Sequence, residues 1–228
     1  TVLFSDIRGF TSISERLEPE QVVELLRDYL TEMTEIVFKH GGTVDKYIGD
    51  CIMALYNVPF ADPEHAANAI RTGLEIQART REFSARWEAK LGVTIRNGVG
   101  INTGEAVVGT MGSRQRLEYT AIGDTVNLAF RLEGLTKEYR VPILISESTY
   151  AEVRGQFLAR ELLDVAELGA VTVRGKTQPV KIYAVLPADV RKPRVALDAP
   201  ATLAVVGTEH VHQAHARDIS ETGMSLVG

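Results

Sequence analysis

Two aspartates hold positions from which carboxylates can serve metal chemistry. Asp6 follows the apolar run that opens the chain, and Asp50 lies in the two-residue gap between the apolar-rich runs 43–48 and 51–56. Gly49 at the first central position of that gap suits a type II′ turn, so the two runs predict a β-hairpin with a carboxylate at its tip. Hard cations such as Mg²⁺ take one or two carboxylates and fill their remaining positions with substrate phosphates and water, so carboxylates at the ends of neighbouring strands could hold divalent cations. Taken singly, each aspartate is ordinary turn chemistry. Lys46, on the first strand of the hairpin, adds a positive donor, and Asn127 and Arg131, spaced i, i+4, share one face of a predicted helix. Alone, such residues are usually solvated. Cys51 is the single cysteine, which excludes an internal disulfide framework and favours a reducing compartment. Inside a predicted strand, it reads as a small core hydrophobe.

The elements that must position these residues are legible in outline. After the first strand, Pro19 marks a first helical position, and Val22, Val23, Leu25, Leu26, Tyr29, Leu30, Met33, Ile36 and Val37 recur at helical spacing until Gly41-Gly42. The hairpin follows. Asp62-Pro63 then predicts a second helix, with Asp62 as N-cap, running to about Leu91 before Gly92. Runs 93–101 and 106–111 read as strands joined through Asn102-Thr103-Gly104-Glu105 as a second hairpin. The order βαββαβ predicts an α+β domain, a ferredoxin-like core with two helices on one face of a mainly antiparallel sheet. Additional C-terminal strands and helices extend it: a strand at 117–120, the helix with Asn127 and Arg131, a strand at 143–145, a short helix opened by Ser146, and strands at 171–174 and 180–186.

The 228 residues suffice for one well-buried domain with an appendage, and 45% hydrophobic with 24% charged residues is ordinary globular composition. A net charge of -5 argues against a protein that coats nucleic acid or an anionic membrane, so any anionic substrate must be met by local cations. No apolar run approaches a membrane span and nothing resembles a signal peptide, which predicts a cytoplasmic catalytic piece. The chain opens inside a strand and closes with another just begun, and so reads as an excerpt whose membrane attachment stays open. Composition shifts near Pro187, dividing the chain into 1–187 and a β module that begins at 188.

The blocks Phe4-Ser5-Asp6-Ile7-Arg8-Gly9-Phe10-Thr11, Lys46-Tyr47-Ile48-Gly49-Asp50, the run from Tyr119 through Gly123-Asp124-Thr125-Val126-Asn127 to Arg131-Leu132-Glu133, and Arg174-Gly175-Lys176 stand in the same order as in the catalytic domain of class III nucleotidyl cyclases, which residues 1–186 resemble. The resemblance implies adenylate cyclase activity: attack of the ribose 3′-hydroxyl on the α-phosphorus of ATP, giving 3′,5′-cyclic AMP and pyrophosphate. It implies two divalent cations, Mg²⁺ or Mn²⁺, on Asp6, Asp50 and the carbonyl of Ile7, with amides of Gly9, Phe10 and Thr11 meeting phosphate oxygens. By the same resemblance Asn127 orients the ribose, Arg131 donates to the α-phosphate, Lys176 meets the terminal phosphates, and Lys46 with Thr120 reads the base. Lys and Thr there favour ATP over GTP. Thr120 resembles the branch containing soluble, bicarbonate-stimulated enzymes. Because one chain carries both the metal-binding and the base-reading half, a homodimer with active sites shared between chains follows. The rival readings are a guanylate cyclase, a diguanylate cyclase, which would carry Gly-Gly-[Asp/Glu]-Glu-Phe where this chain has Ile48-Gly49-Asp50-Cys51, and a nucleotide-binding module without turnover.

In the tail, Asp218-Ile219-Ser220-Glu221-Thr222-Gly223 resembles the Asp-x-Ser-x-x-Gly element of PilZ domains, which implies cyclic di-GMP as a partner. The upstream arginines, Arg191 and Arg194, are one residue too close for the Arg-x-x-x-Arg that accompanies it. His210, His212 and His215 lack a partner carboxylate or thiol and read as exposed polar positions.

Overall fold

A computed structural model describes residues 1–155, 164–172 and 179–186, and the backbone of 195–204, 211–220 and 223–227. Two compact units emerge, Thr1–Pro187 and Ala188–Gly228. The first runs β1 (Val2–Ile7), α1 (Phe10–Ser14), α2 (Pro19–Lys39), β2 (Thr43–Ile48), β3 (Cys51–Leu55), α3 (His65–Leu91), β4 (Asn97–Asn102), β5 (Val107–Gly112), β6 (Leu117–Ile122), α4 (Asp124–Tyr139), β7 (Ile143–Ser146), α5 (Glu147–Val153), β8 (Asp164–Val171) and β9 (Val180–Leu186). A seven-stranded sheet has the order β2-β3-β1-β4-β7-β9-β8, while β5 and β6 form a sheet of their own. The β2-β3-β1-β4 portion is the ferredoxin-like core expected from the sequence. Its pairs are antiparallel, and β4 meets β7 in parallel.

Strand alternation sorts the central side chains into two faces. Leu3, Ile7, Val99 and Ile101 belong to the large core cluster that includes Leu25, Tyr29 and Met33 of α2 and Ile70, Ile76, Phe83 and Trp87 of α3. Tyr29 meets Phe83 edge to face, ring centroids 5.5 Å apart. Each of these fully buried side chains contributes roughly 1.5–3 kcal/mol by leaving water. On the opposite face, Val2 and Phe4 pack with Cys51, Met53, Leu55 and Ala129, the last from α4. There β4 offers Gly98 and Gly100, and a Cβ on Gly100 would fall 2.1 Å from the backbone nitrogen of Glu133. Glycine at that position lets α4 lie directly on the strand. The sheet is thus covered on both sides, with the Asn127 helix opposite the α2–α3 pair.

Local signals place the ends of most elements. Pro19 begins α2 behind a capping box in which Glu18 N–H donates to Gln21 Oε1 (3.0 Å). Ser146 caps α5, its Oγ accepting from Thr149 N–H at 3.3 Å. Three expectations need correction. The α3 helix starts at His65, not at Pro63, because Asp62 closes a turn, accepting from Glu64 N–H (2.9 Å) and Asn68 Nδ2 (2.9 Å). Residues 93–96 are not strand, and β4 and β5 do not form a hairpin: β1 and β7 take both edges of β4, and β5 pairs with β6 through the turn at Ser113–Arg116. Among the described residues, no helix is long and apolar enough to cross a membrane.

The second unit is an antiparallel meander of β10 (Val195–Ala204), β11 (Val211–Ser220) and β12 (Gly223–Val227). His212, His215, Asp218 and Ser220 stand on β11 and Gly223 opens β12, whereas Arg191, Arg194 and His210 lie outside the described residues.

Candidate active site

The tip of the β2–β3 hairpin brings the two aspartates together. Gly49 has φ +65° and Asp50 stays out of the left-handed region, the combination of a II′ turn. Antiparallel pairing of β3 with β1, Ile52 opposite Ser5, carries the turn to the end of β1. There the Ile7 N–H donates to Asp50 Oδ2 at 3.1 Å. Burial, then the neighbouring charge of Asp50, raises the Asp6 carboxyl well above the usual carboxylate range. Glu133 of α4 contributes to the same field, and burial pushes it up to about 7, with the Arg8 guanidinium opposing and Asp50 adding to the rise. Arg8 Nη2 in turn donates to the carbonyls of Val141 (2.6 Å) and Thr136 (3.3 Å), tying the end of β1 to the end of α4. A hard divalent cation fits this place: its donors are oxygens, and two crowded, half-buried carboxylates gain from a positive ion between them. Among the described residues no group of three or more His, Cys, Asp or Glu side chains is placed as a metal site.

Lys46 and Thr120 come together through a feature that no local sequence rule announced. The β2–β3 register slips between Val44 and Lys46, a bulge at Asp45. Consecutive strand residues normally point to opposite faces, but a bulge re-aims them. Here Asp45 and Lys46 both reach β6. Thr120 Oγ1 donates to Asp45 Oδ2 at 2.5 Å, and Lys46 Nζ donates to Glu118 Oε2 at 2.9 Å. Glu118 and Thr120, spaced by two, share a face of β6, and Arg116 Nε (3.0 Å) and Nη2 (2.6 Å) hold the other oxygen of Glu118. The hydrogen bond to Glu118, opposed by slight desolvation and helped by Asp45, raises the Lys46 ammonium's pKa. Asp45 and Glu118 had no role in the sequence reading. The Glu118-x-Thr120 alternation was visible there, whereas the bulge that turns Asp45 toward it was not.

Asn127 and Arg131 lie on one face of α4, beside the buried stripe of Leu128, Ala129, Leu132 and Thr136. Asn127 is exposed and Arg131 half-buried, and neither side chain bonds to another described residue. On the same helix, Phe130 meets Phe4 of β1 edge to face at 5.3 Å. Gly9, with φ 71°, caps α1, so Gly9, Phe10 and Thr11 form the turn that leaves β1 immediately after Asp6 and Ile7. Lys176 lies outside the described residues.

The model of the adenylate and guanylate cyclase catalytic domain matches residues 1–187. Adenylate cyclase 1 of Rhizobium meliloti (strain 1021) is 38% identical over 186 residues, 82% of this chain but 27% of that protein. The chain therefore spans about a quarter of the length of that relative. The crystal structure of the adenylyl cyclase CyaB from P. aeruginosa superposes with a TM-score of 0.74 and 36% identity, covering 82% of this chain and 93% of the other. The guanylyl cyclase Cya2 gives a TM-score of 0.70 and 37% identity over 82% of this chain and 90% of its own. Cyclic di-GMP binding by residues 188–228 gains no support from the family match, which ends at residue 187.

Proposed function

Because this chain belongs to the adenylate and guanylate cyclase catalytic domain family, we propose that it makes 3′,5′-cyclic AMP and pyrophosphate from ATP, as a homodimer whose active sites draw on both chains. The ribose 3′-oxygen bonds to the α-phosphorus as the bond to the pyrophosphate oxygen breaks, and the hydroxyl proton passes to solvent. Two divalent cations, Mg²⁺ or Mn²⁺, held by Asp6, Asp50 and the Ile7 carbonyl, would acidify that hydroxyl and neutralise the triphosphate. Asn127 holds the ribose, and Arg131 donates to the charge growing on the α-phosphate, a preorganised donor of the kind worth about 10²–10³ in rate. Gly9, Phe10 and Thr11 turn their amides to phosphate oxygens, and Lys176 takes the terminal phosphates.

Family membership leaves the base open, since an adenylyl and a guanylyl cyclase superpose on this chain about equally well. The observation that carries ATP is the pairing of a donor with an acceptor on β2 and β6. Lys46 can only donate, which suits an adenine ring nitrogen, and Thr120, its proton already given to Asp45, accepts from the exocyclic amino group. Supplied with Mg²⁺ or Mn²⁺ and equal ATP and GTP, the purified chain should form cyclic AMP in at least tenfold excess over cyclic GMP, in keeping with the discrimination that paired buried polar groups give. A product dominated by cyclic GMP or cyclic di-GMP, read by mass spectrometry, would reverse the assignment. No cyclic product at all would leave a nucleotide-binding module.

A further inference from the structure

We propose that Asp45 is a positioning residue that selects adenine by fixing the direction of the Thr120 hydroxyl, an inference that rests on Thr120 being a base-reading residue. A threonine hydroxyl has one proton and two lone pairs, so it can meet an amino group as acceptor or a carbonyl as donor. By itself it does not tell adenine's amino group from guanine's O6. Asp45 removes the ambiguity. Its Oδ2 takes the Thr120 proton at 2.5 Å, and a carboxylate offers no proton in return, so the hydroxyl presents lone pairs only.

Three features show that the contact is built into the fold. The β2 bulge falls at Asp45 and sets it on the same side as Lys46, where a regular strand would turn one of the two away. The Thr120 residue is buried at 8% exposure, so water has little access to compete for its proton. The other oxygen, Asp45 Oδ1, is buried and has no hydrogen-bond partner, which leaves the carboxylate dependent on its bond to Thr120. Guanine at this position would meet a hydroxyl unable to donate to O6 unless the Asp45 bond broke. Breaking it would strip a half-buried carboxylate, one oxygen of which is already without a partner, of its hydrogen-bond donor, a cost that falls on guanine alone.

The test measures base preference as the GTP to ATP ratio of kcat/KM, and in parallel as the Kd of 3′-deoxy-ATP divided by that of 3′-deoxy-GTP, analogues that bind but lack the attacking hydroxyl. Asp45→Ala frees the Thr120 proton and should raise both ratios about tenfold, the scale of one mismatched buried hydrogen bond. Asp45→Asn keeps the shape, lets an amide face the hydroxyl, and should raise them by a smaller factor, so a folding defect in one variant does not remove the test. Thr120→Val should also shift the ratios toward GTP, and Asp45→Ala added to Thr120→Val should shift them no further. If Thr120→Val moves the ratios while both Asp45 variants leave them within about twofold, the reading of Thr120 stands and the role of Asp45 falls. An Asp45→Ala shift that persists in full without the Thr120 hydroxyl likewise overturns it. If Thr120→Val itself changes neither ratio, the base is read elsewhere and both ideas fail together.

Discussion

At the scale of single residues, the candidate metal site places two carboxylates where, without a cation, they oppose each other. Asp6 is half-buried and its carboxyl is raised by burial and by Asp50, so its charged form works against the folded state of the metal-free chain. Activity and stability should therefore respond to one substitution in opposite directions. Asp6→Asn or Asp50→Asn is expected to lower kcat by about three orders of magnitude or more, since a metal ligand is lost. In EDTA, the same Asp6→Asn chain should melt about 2–4 °C above the parent, the shift that about 1 kcal/mol produces in a domain of this size. Paired kcat and thermal-melt measurements decide it. Near-normal turnover denies the metal role, and a lower melting temperature in EDTA shows that the parent pair is stabilised by something other than a cation. Sequence alone made Asp6 and Asp50 candidates, because strand ends and a hairpin tip are legible from local pattern. Asp45 was not legible: a bulge is a property of two paired strands, and one strand's sequence does not contain it.

At the scale of elements, α4 is the part whose placement matters most, because it carries both Asn127 and Arg131 and rests on β4. The contact is backbone to backbone: a Cβ on Gly100 would meet Glu133 N at 2.1 Å and Ala129 O at 2.4 Å, neither of which can rotate away. Gly100→Ala should thus push the helix off the sheet, costing about 1–3 kcal/mol as overpacking does, and kcat should fall with it. Gly134, on the same helix, has nothing within 4 Å of its missing Cβ. Gly134→Ala should stabilise the chain by about 0.5–1 kcal/mol through helix entropy and leave kcat unchanged. Urea titrations of the two variants provide the contrast, and equal effects would mean that α4 is not seated as described. The first long helix and the first hairpin were readable because a proline at a first helical position, a periodic apolar face and a Gly-Asp turn are short-range signals. The link between β4 and β5 was misread for the converse reason. Asn102-Thr103-Gly104-Glu105 has the composition of a hairpin loop, but β4 is a central strand whose partners, β1 and β7, come from distant parts of the chain. Local composition shows that a turn occurs and is silent on what the next strand pairs with.

At the scale of the whole molecule, the β5–β6 hairpin argues for a second copy. It forms a two-stranded sheet apart from the main one, and such hairpins are marginal in water without further packing. It also exposes Val107, Leu117, Tyr119 and Ile122, with Tyr47 and Ile48 exposed on neighbouring β2. Apolar side chains gathered in this way mark an interaction surface. Lys46 and Thr120 belong to these same strands, so a second copy docked here would lie beside the base-reading residues, as the proposed shared active sites require. On this arrangement Asp6 and Asn127 of one chain serve different active sites. An Asp6→Asn chain and an Asn127→Ala chain should each be nearly inactive as homodimers, yet a heterodimer contains one site with every residue intact. After free subunit exchange half of the dimers are mixed and each has one working site of two, so activity should return to about a quarter of wild type, the statistical value for a two-fold symmetric pair. Native mass spectrometry of chains carrying different tags verifies the exchange, and cyclic AMP formation reads the recovery. If mixed dimers form and remain as inactive as their parents, each active site is made within one chain, and the exposed hairpin must be covered for another reason.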